Sequence, residues 1–392
     1  MKGGISVANV DGNFNMAIAD LNRLQKQIKR QLKFEDYTPI LALGKSGIGK
    51  TEVISGLAKE LGIGFVELRL GQWQEEDLVG LPFVDEKGKS RHAETDLLPD
   101  SSDQGQGILM LDEVTSSNKH MRATVYQLTD SRRSLGTYKL PPKWMVVACG
   151  NGPYDGGDFE GIESALLSRC RCMRVEENLD AWKAWAIKKG VHPTVVAFLS
   201  FMPDKLHVLD PEGEAEVFAC PRSWVKLSEQ LLNMETEGPI DPDELAFTAD
   251  ICVGTATGPS FAAFYQYNKS VVTVEDILNG TCDPKTVDAK QSETMYILVQ
   301  QIVSFIQREI KSSGVDAYGE LVKKDEITHK MAKITNWLID LGTSTRLDVA
   351  VMAIQDITNN IREAKEILIS TEFDLECPRF TQFAIDNVII FE

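Results

Sequence analysis

Eight residues from Gly44 to Thr51, GKSGIGKT, constrain this chain more than any other feature. The spacing G-x-x-x-x-G-K-T serves phosphate only where a buried strand feeds the loop and a helix leaves it. Both flanks are present. PILAL, ending at Leu43, is an apolar run of strand length, and Val53, Ile54, Leu57, Ala58 and Leu61 repeat at helical spacing after the loop. Glycines let successive backbone N–H groups turn inward toward phosphate oxygens at the positive end of the following helix. Gly44, Lys45, Ser46, Gly47, Ile48, Gly49, Lys50 and Thr51 are therefore the expected nucleotide contacts, with Lys50 on the β- and γ-phosphates and Thr51 on Mg²⁺.

Up to about Glu176, strand-like segments alternate with helix-like ones: GFVELRL (64–70), GILMLDE (107–113), WMVVACGN (144–151) and CMRVE (172–176). That alternation predicts a parallel sheet covered by helices on both faces. From Leu179 onward the pattern is helical, as in LDAWKAWAIKKG, TVVAFLSFM, PRSWVKLSEQLLNME and PDELAFTADICVG. Met295, Leu298, Val299, Ile302, Ile306 and Ile310 then predict one apolar face of a long helix.

GILMLDE ends on Asp112 and Glu113, about 60 residues beyond the glycine-rich loop. Two carboxylates at a strand end beside a phosphate loop have a simple chemical use. Asp112 orients Mg²⁺ or its waters, and Glu113 polarises a water for attack on the γ-phosphate.

The chain carries a formal charge of −17, with 43% hydrophobic and 25% charged residues. Such a composition predicts a folded protein of two or three domains. The acidic balance disfavours a broad nucleic-acid surface, whose affinity rests on Lys and Arg neutralising phosphates. No stretch approaches a membrane-spanning length of apolar residues, and the expected location is the cytoplasm. Cys149, Cys170, Cys172, Cys220, Cys252, Cys282 and Cys377 contain no C-x-x-C pair, and the reading is of reduced, mostly buried thiols rather than metal ligands.

Further short segments fall in a fixed order: DLVGLPFVD (77–85), LDE (111–113), VYQLTDSRRSLGTYKLP (125–141), WMVVACGN (144–151) and CPRSW (220–224). Over roughly residues 38–235 this order resembles the MoxR-type AAA+ ATPases of the helix-2-insert clade. The resemblance implies an AAA+ P-loop αβα sandwich with a parallel five-stranded sheet over residues 1–178 and a helix-2 insert near 77–99. A helical lid over 179–275 and a helical C-terminal domain over 276–392 would follow.

It also implies roles. Asn151 matches the sensor 1 position that places the attacking water. Arg169 matches the finger that reaches a neighbouring subunit's site, although Ser168 and Cys170 depart from the family's usual flanks and Arg171 competes for the role. Arg222 matches sensor 2 on the lid. FVDEKGKSRHAET reads as a hairpin, in related rings facing the central channel, with Arg91 and His92 near its end; RRSLGTYKLP would be a second hairpin. The implied protein is a ring, expected to be hexameric, that uses ATP and Mg²⁺ to remodel or activate a protein partner. A von Willebrand factor A domain protein is one partner the resemblance suggests. Two other classes stay open: a nucleic-acid-directed motor, whose Asn-Thr-x-Asp signature is replaced here by GNGPYDGG, and a nucleotide-gated scaffold with little turnover.

Overall fold

The computed structural model describes residues 16–93, 95–152, 155, 162–208, 217–267, 273–285, 292–316, 320–344 and 346–389. The chain divides into two units, Met1–Asn178 and Leu179–Glu392.

In the first unit the strands are β1 (Ala17–Ala19), β2 (Ile40–Leu43), β3 (Gly64–Arg69), β4 (Pro82–Val84), β5 (Ser90–His92), β6 (Gly107–Asp112), β7 (Ser134–Leu135), β8 (Tyr138–Lys139), β9 (Trp144–Gly150) and β10 (Arg171–Val175). Six of them form one sheet in the order β1-β10-β2-β9-β6-β3, parallel throughout. The five expected strands are all present, and β1 adds a sixth at the edge beside β10. Three residues long, AIA carries too little pattern to stand out in the sequence.

Alternation within the central strands explains the layered build. Leu41, Leu43, Leu109, Leu111, Val146 and Ala148 belong to one apolar cluster. The intervening Ile40, Ala42, Ile108, Met110, Met145 and Val147 belong to another, with helix α1 (Leu21–Lys33) and helix α2 (Lys50–Leu61). Successive side chains point to opposite faces, so strands that are apolar at every position must be covered twice. The result is an αβα sandwich. Trp144, the first residue of β9, lies across the glycines that open β3 and β6: a Cβ on Gly64 or Gly107 would come within 2.5 or 2.4 Å of its ring. Leu61, expected on the apolar face of α2, is 42% exposed because it is the last helical residue before the left-handed Gly62.

The second unit is built of helices. Leu179–Lys189, Pro193–Phe201, Pro221–Glu237, Pro242–Val253 and Gly258–Tyr267 close around Phe198, Trp224, Phe261 and Phe264. Helix Ser292–Ser313 buries Met295, Leu298, Val299, Ile302, Ile306 and Ile310 against the helices that follow. Within this core Lys183 pairs with Asp356 at 3.1 Å, and Gln300 donates to the same carboxylate oxygen at 2.7 Å. All seven cysteines are free thiols; Cys149, Cys220 and Cys377 are buried, whereas Cys170, Cys172, Cys252 and Cys282 are only partly so, against the expectation of mostly buried thiols. Among the described residues no helix is long and apolar enough to cross a membrane.

Candidate functional site

Parallel strands present all their carboxyl ends at one edge, and here β9 lies between β2 and β6. Leu43 is in register with Gly150, and Leu111 with Ala148. The loop after β2, the acidic end of β6 and Asn151 after β9 are thereby brought to the same edge. Gly44 N donates to Gly150 O at 3.1 Å, fastening the start of the loop to β9.

Local geometry shapes the loop. A Cβ on Gly44 would stand 2.2 Å from Val175 O, so the backbone passes β10 closer than any side chain permits. Gly49 caps α2 at φ +101°, a left-handed conformation that leaves the first N–H groups of the helix free of a side-chain cap. Lys50 is buried, and its ammonium donates to Gly44 O at 2.6 Å and Lys45 O at 2.9 Å. A buried lysine bonded to the carbonyls of the loop that it follows is a charge held ready for a phosphate group. Lys45 itself pairs with Glu177 at 2.5 Å.

The Thr51 hydroxyl donates to Asp112 Oδ2 at 2.9 Å. Hydroxyl and carboxylate therefore share one point at the head of α2, which is the oxygen donor chemistry that Mg²⁺ prefers. Glu113 stands beyond the strand at φ +58°, unusual for a residue with a side chain. Asp112 Oδ1 accepts from Glu113 N at 2.9 Å, and Ser117 N donates to Glu113 O at 3.1 Å, which holds the turn. The Glu113 carboxylate is exposed and passes 3.1 Å from the place where Gly71 would carry a Cβ. Thr115 Oγ1 accepts from Asn151 N at 2.9 Å, so the turn after Glu113 also positions Asn151.

Three contributors here carry little sequence signal. Arg69, in register with Asp112, donates to Glu67 at 2.6 Å. Glu67 above all, with Asp112 and Glu113 adding, raises its guanidinium above the ordinary range. Asp155 is buried, accepts from Gly152 N at 2.7 Å and pairs with Arg174 at 3.3 Å, pinning the chain just past Asn151. Pro153, Tyr154, Gly156 and Gly157 of the expected turn lie outside the described residues. Buried Arg122 pairs with Glu163 at 3.4 Å, and Glu163 accepts from the Tyr126 hydroxyl at 2.5 Å. Of the three, only Arg69 had a signal in the sequence, as the penultimate residue of an expected strand.

Arg169 lies in the turn before β10, and Arg171 opens that strand in register with Ile40, at the end of β2 away from the phosphate loop. Arg169 is exposed, and among the described residues its side chain makes a single 3.4 Å bond, to Tyr126 O. Arg222 belongs to the second unit, exposed as the second residue of helix Pro221–Glu237, whose start is fixed by Ser223 Oγ accepting from Cys220 N at 2.8 Å. Both expected hairpins form. Pro82 pairs with His92 and Val84 with Ser90 in the first, which exposes Leu81, Phe83 and Val84. In the second, Leu135 pairs with Tyr138, and Thr137 Oγ1 donates to His92 O at 3.4 Å.

Residues 39–170 match the AAA domain of the dynein-related subfamily. Among solved structures, the RuvB Holliday junction branch migration motor of Thermotoga maritima overlaps 79% of this chain and 93% of its own, at 16% identity and a TM-score of 0.38. NtrX from Brucella abortus overlaps 87% of this chain and 67% of its own, at 15% identity and a TM-score of 0.35. Overlaps this loose carry no functional detail to the chain.

Proposed function

We propose that this chain, whose residues 39–170 carry an AAA domain, hydrolyses ATP in a MoxR-type ring that remodels or activates a protein partner. The observation that supports this best is the 2.9 Å bond from Thr51 to Asp112, which couples the phosphate loop to the acidic strand end. Lys50, Thr51 and the loop from Gly44 to Gly49 would hold the phosphates, and Thr51 and Asp112 the Mg²⁺. When bound, Mg²⁺ offsets phosphate charge. Glu113, exposed on a turn held by Asp112 and Ser117, takes the proton of the attacking water, and Asn151 orients that water. Arg169 completes a neighbour's site, and Arg222 serves from the helical unit. Hydrolysis then depends on how subunits meet, which is what turns nucleotide state into movement of a ring.

The expected ring is a hexamer and the partner a protein, with a von Willebrand factor A domain as the first candidate. The net charge of −17 supports a protein partner over nucleic acid. Phosphate release by the purified chain tests hydrolysis directly: Lys50→Ala should lose nucleotide binding, and Glu113→Gln should bind ATP without turning it over. Affinity capture on the Glu113→Gln protein with ATP, followed by identification of what stays bound, tests the partner. Stimulation of phosphate release by DNA or RNA would favour a nucleic-acid motor instead.

A further inference from the structure

A pocket of about 640 Å³ lies at the base of the second hairpin, lined by Ser101, Ser131, Arg132, Arg133, Ser134 and Lys139 together with the apolar run from Leu140 to Pro142. Its walls join the segment entering β7 to the segment that leaves β8 for Trp144, at the amino end of β9. The phosphate loop meets the carboxyl end of that strand at Gly150. Seven residues of β9 separate the two places, roughly 20 Å at strand rise.

We propose that this pocket is a second anion site, which binds a phosphomonoester group independently of the phosphate loop. Its charge is positive in a chain that is otherwise strongly acidic. The Arg133 guanidinium is spent on backbone carbonyls, donating to Pro142 O at 2.9 Å, to Pro141 O at 3.3 Å and to Trp144 O. Carbonyl oxygens fix its orientation and leave its charge uncancelled. Arg133 reaches them from φ +49°, so the backbone holds a strained conformation to keep that charge in the wall. Lys139 is exposed and has no ionic or hydrogen-bonding partner among the described residues. It is in register with Ser134 across β7 and β8, which sets the two side chains side by side on one face of the hairpin. Arg132 is the third cation, 76% exposed and bonded to Asp130 at 3.0 Å. The Ser131 and Ser134 hydroxyls have no hydrogen-bond partner among the described residues.

Two uncompensated cations, a third on a surface ion pair and two free hydroxyls match a group with several acceptor oxygens and close to two negative charges. A carboxylate has fewer acceptors for these donors. A polynucleotide needs cations spaced along a track, whereas these converge on one pocket. The volume is that of a small-ligand site, and Leu140, Pro141 and Pro142 offer an apolar wall to whatever carries the phosphate.

Two sources carry this chemistry, a free phosphorylated small molecule and a phosphorylated residue of a protein. Calorimetric titration of the full chain, saturated with Mg-ADP to occupy the phosphate loop, with inorganic phosphate, with a short phosphoserine peptide and with an oligo-dT strand separates them. At least one of the first two should bind, and Lys139→Met and the Ser131→Ala/Ser134→Ala pair should each weaken it about tenfold, the loss of a charge-assisted bond. Both variants should keep the wild-type melting temperature and ADP affinity. Equal affinity for inorganic phosphate and the peptide points to a free ligand, and tighter binding of the peptide to a phosphorylated protein. The proposal is overturned if neither phosphate binds, if binding persists undiminished in both variants, or if oligo-dT competes as well as the monoesters.

Discussion

Arg171 is held by Asp36 at 2.6 Å, and the same carboxylate accepts from the Thr38 hydroxyl at 2.6 Å and from Thr38 N at 3.1 Å. The Thr38 hydroxyl first, with Arg171 adding, keeps Asp36 below the usual carboxylate range. Arg171 is thus paired within its own chain, while Arg169, two residues earlier, is exposed with one long bond to a carbonyl among the described residues. Arg169→Ala should therefore bind ATP and hydrolyse it poorly, and Arg171→Ala should keep most of its turnover. Mixing Arg169→Ala with Glu113→Gln subunits should restore activity, with a maximum near equal proportions, since some interfaces then pair an intact Glu113 with an intact Arg169. A fully active Arg169→Ala protein beside an inactive Arg171→Ala protein reverses the assignment.

Glu113 at φ +58° costs the fold on the order of 1 kcal/mol relative to glycine, which adopts that conformation freely. Glu113→Gly should raise stability by about that amount in denaturant unfolding and cut phosphate release by at least about a hundredfold. Stability unchanged or lowered would mean that the turn is not strained.

Gly44 has no room for a methyl group, since Val175 O lies 2.2 Å from the Cβ position. Gly44→Ala should destabilise the first unit by roughly 1–3 kcal/mol, the usual cost of overpacking, and weaken nucleotide binding with it. Unfolding curves and ADP titration on one sample read both effects, and a wild-type result in either breaks the link between them.

In the helical unit Thr194 N donates to His192 Nδ1 at 3.2 Å, which leaves the ring proton on Nε2, 3.0 Å from Glu235. Tyr265 donates to the same carboxylate oxygen at 2.7 Å. The His192 bond above all, with Tyr265 contributing, holds Glu235 below its ordinary value of 4.5 despite burial. A carboxylate with a depressed folded value stabilises above its unfolded value and loses that contribution as pH falls through the folded one. The helical unit should weaken below about pH 4.5, and Glu235→Gln should flatten the decline. Melting temperatures of the two proteins between pH 3 and 7 make the comparison, and identical slopes would remove Glu235 from the account.

The glycine-rich loop, the strands around it and the acidic strand end were legible in the sequence because local chemistry specifies them. A loop of GKSGIGKT between a buried strand and a helix turns its N–H groups inward, ILAL and GILML are apolar throughout and must be buried on both faces, and the repeat from Met295 to Ile310 has a helix's period. Three-residue β1 has no such pattern, and only pairing with β10 makes it a strand. Strand order is likewise absent from any one segment: that β9 stands between β2 and β6, and so carries Asn151 to the phosphate loop, depends on how all the strands pack. The tertiary structure alone decided the partners of charged residues. Asp36 precedes Arg171 by more than a hundred positions, and Asp155 follows Gly152 yet pairs with Arg174 on a sheet strand. Ion pairs and hydrogen bonds act over a few ångströms, so which residues they join is settled by the folded chain's geometry rather than by sequence spacing.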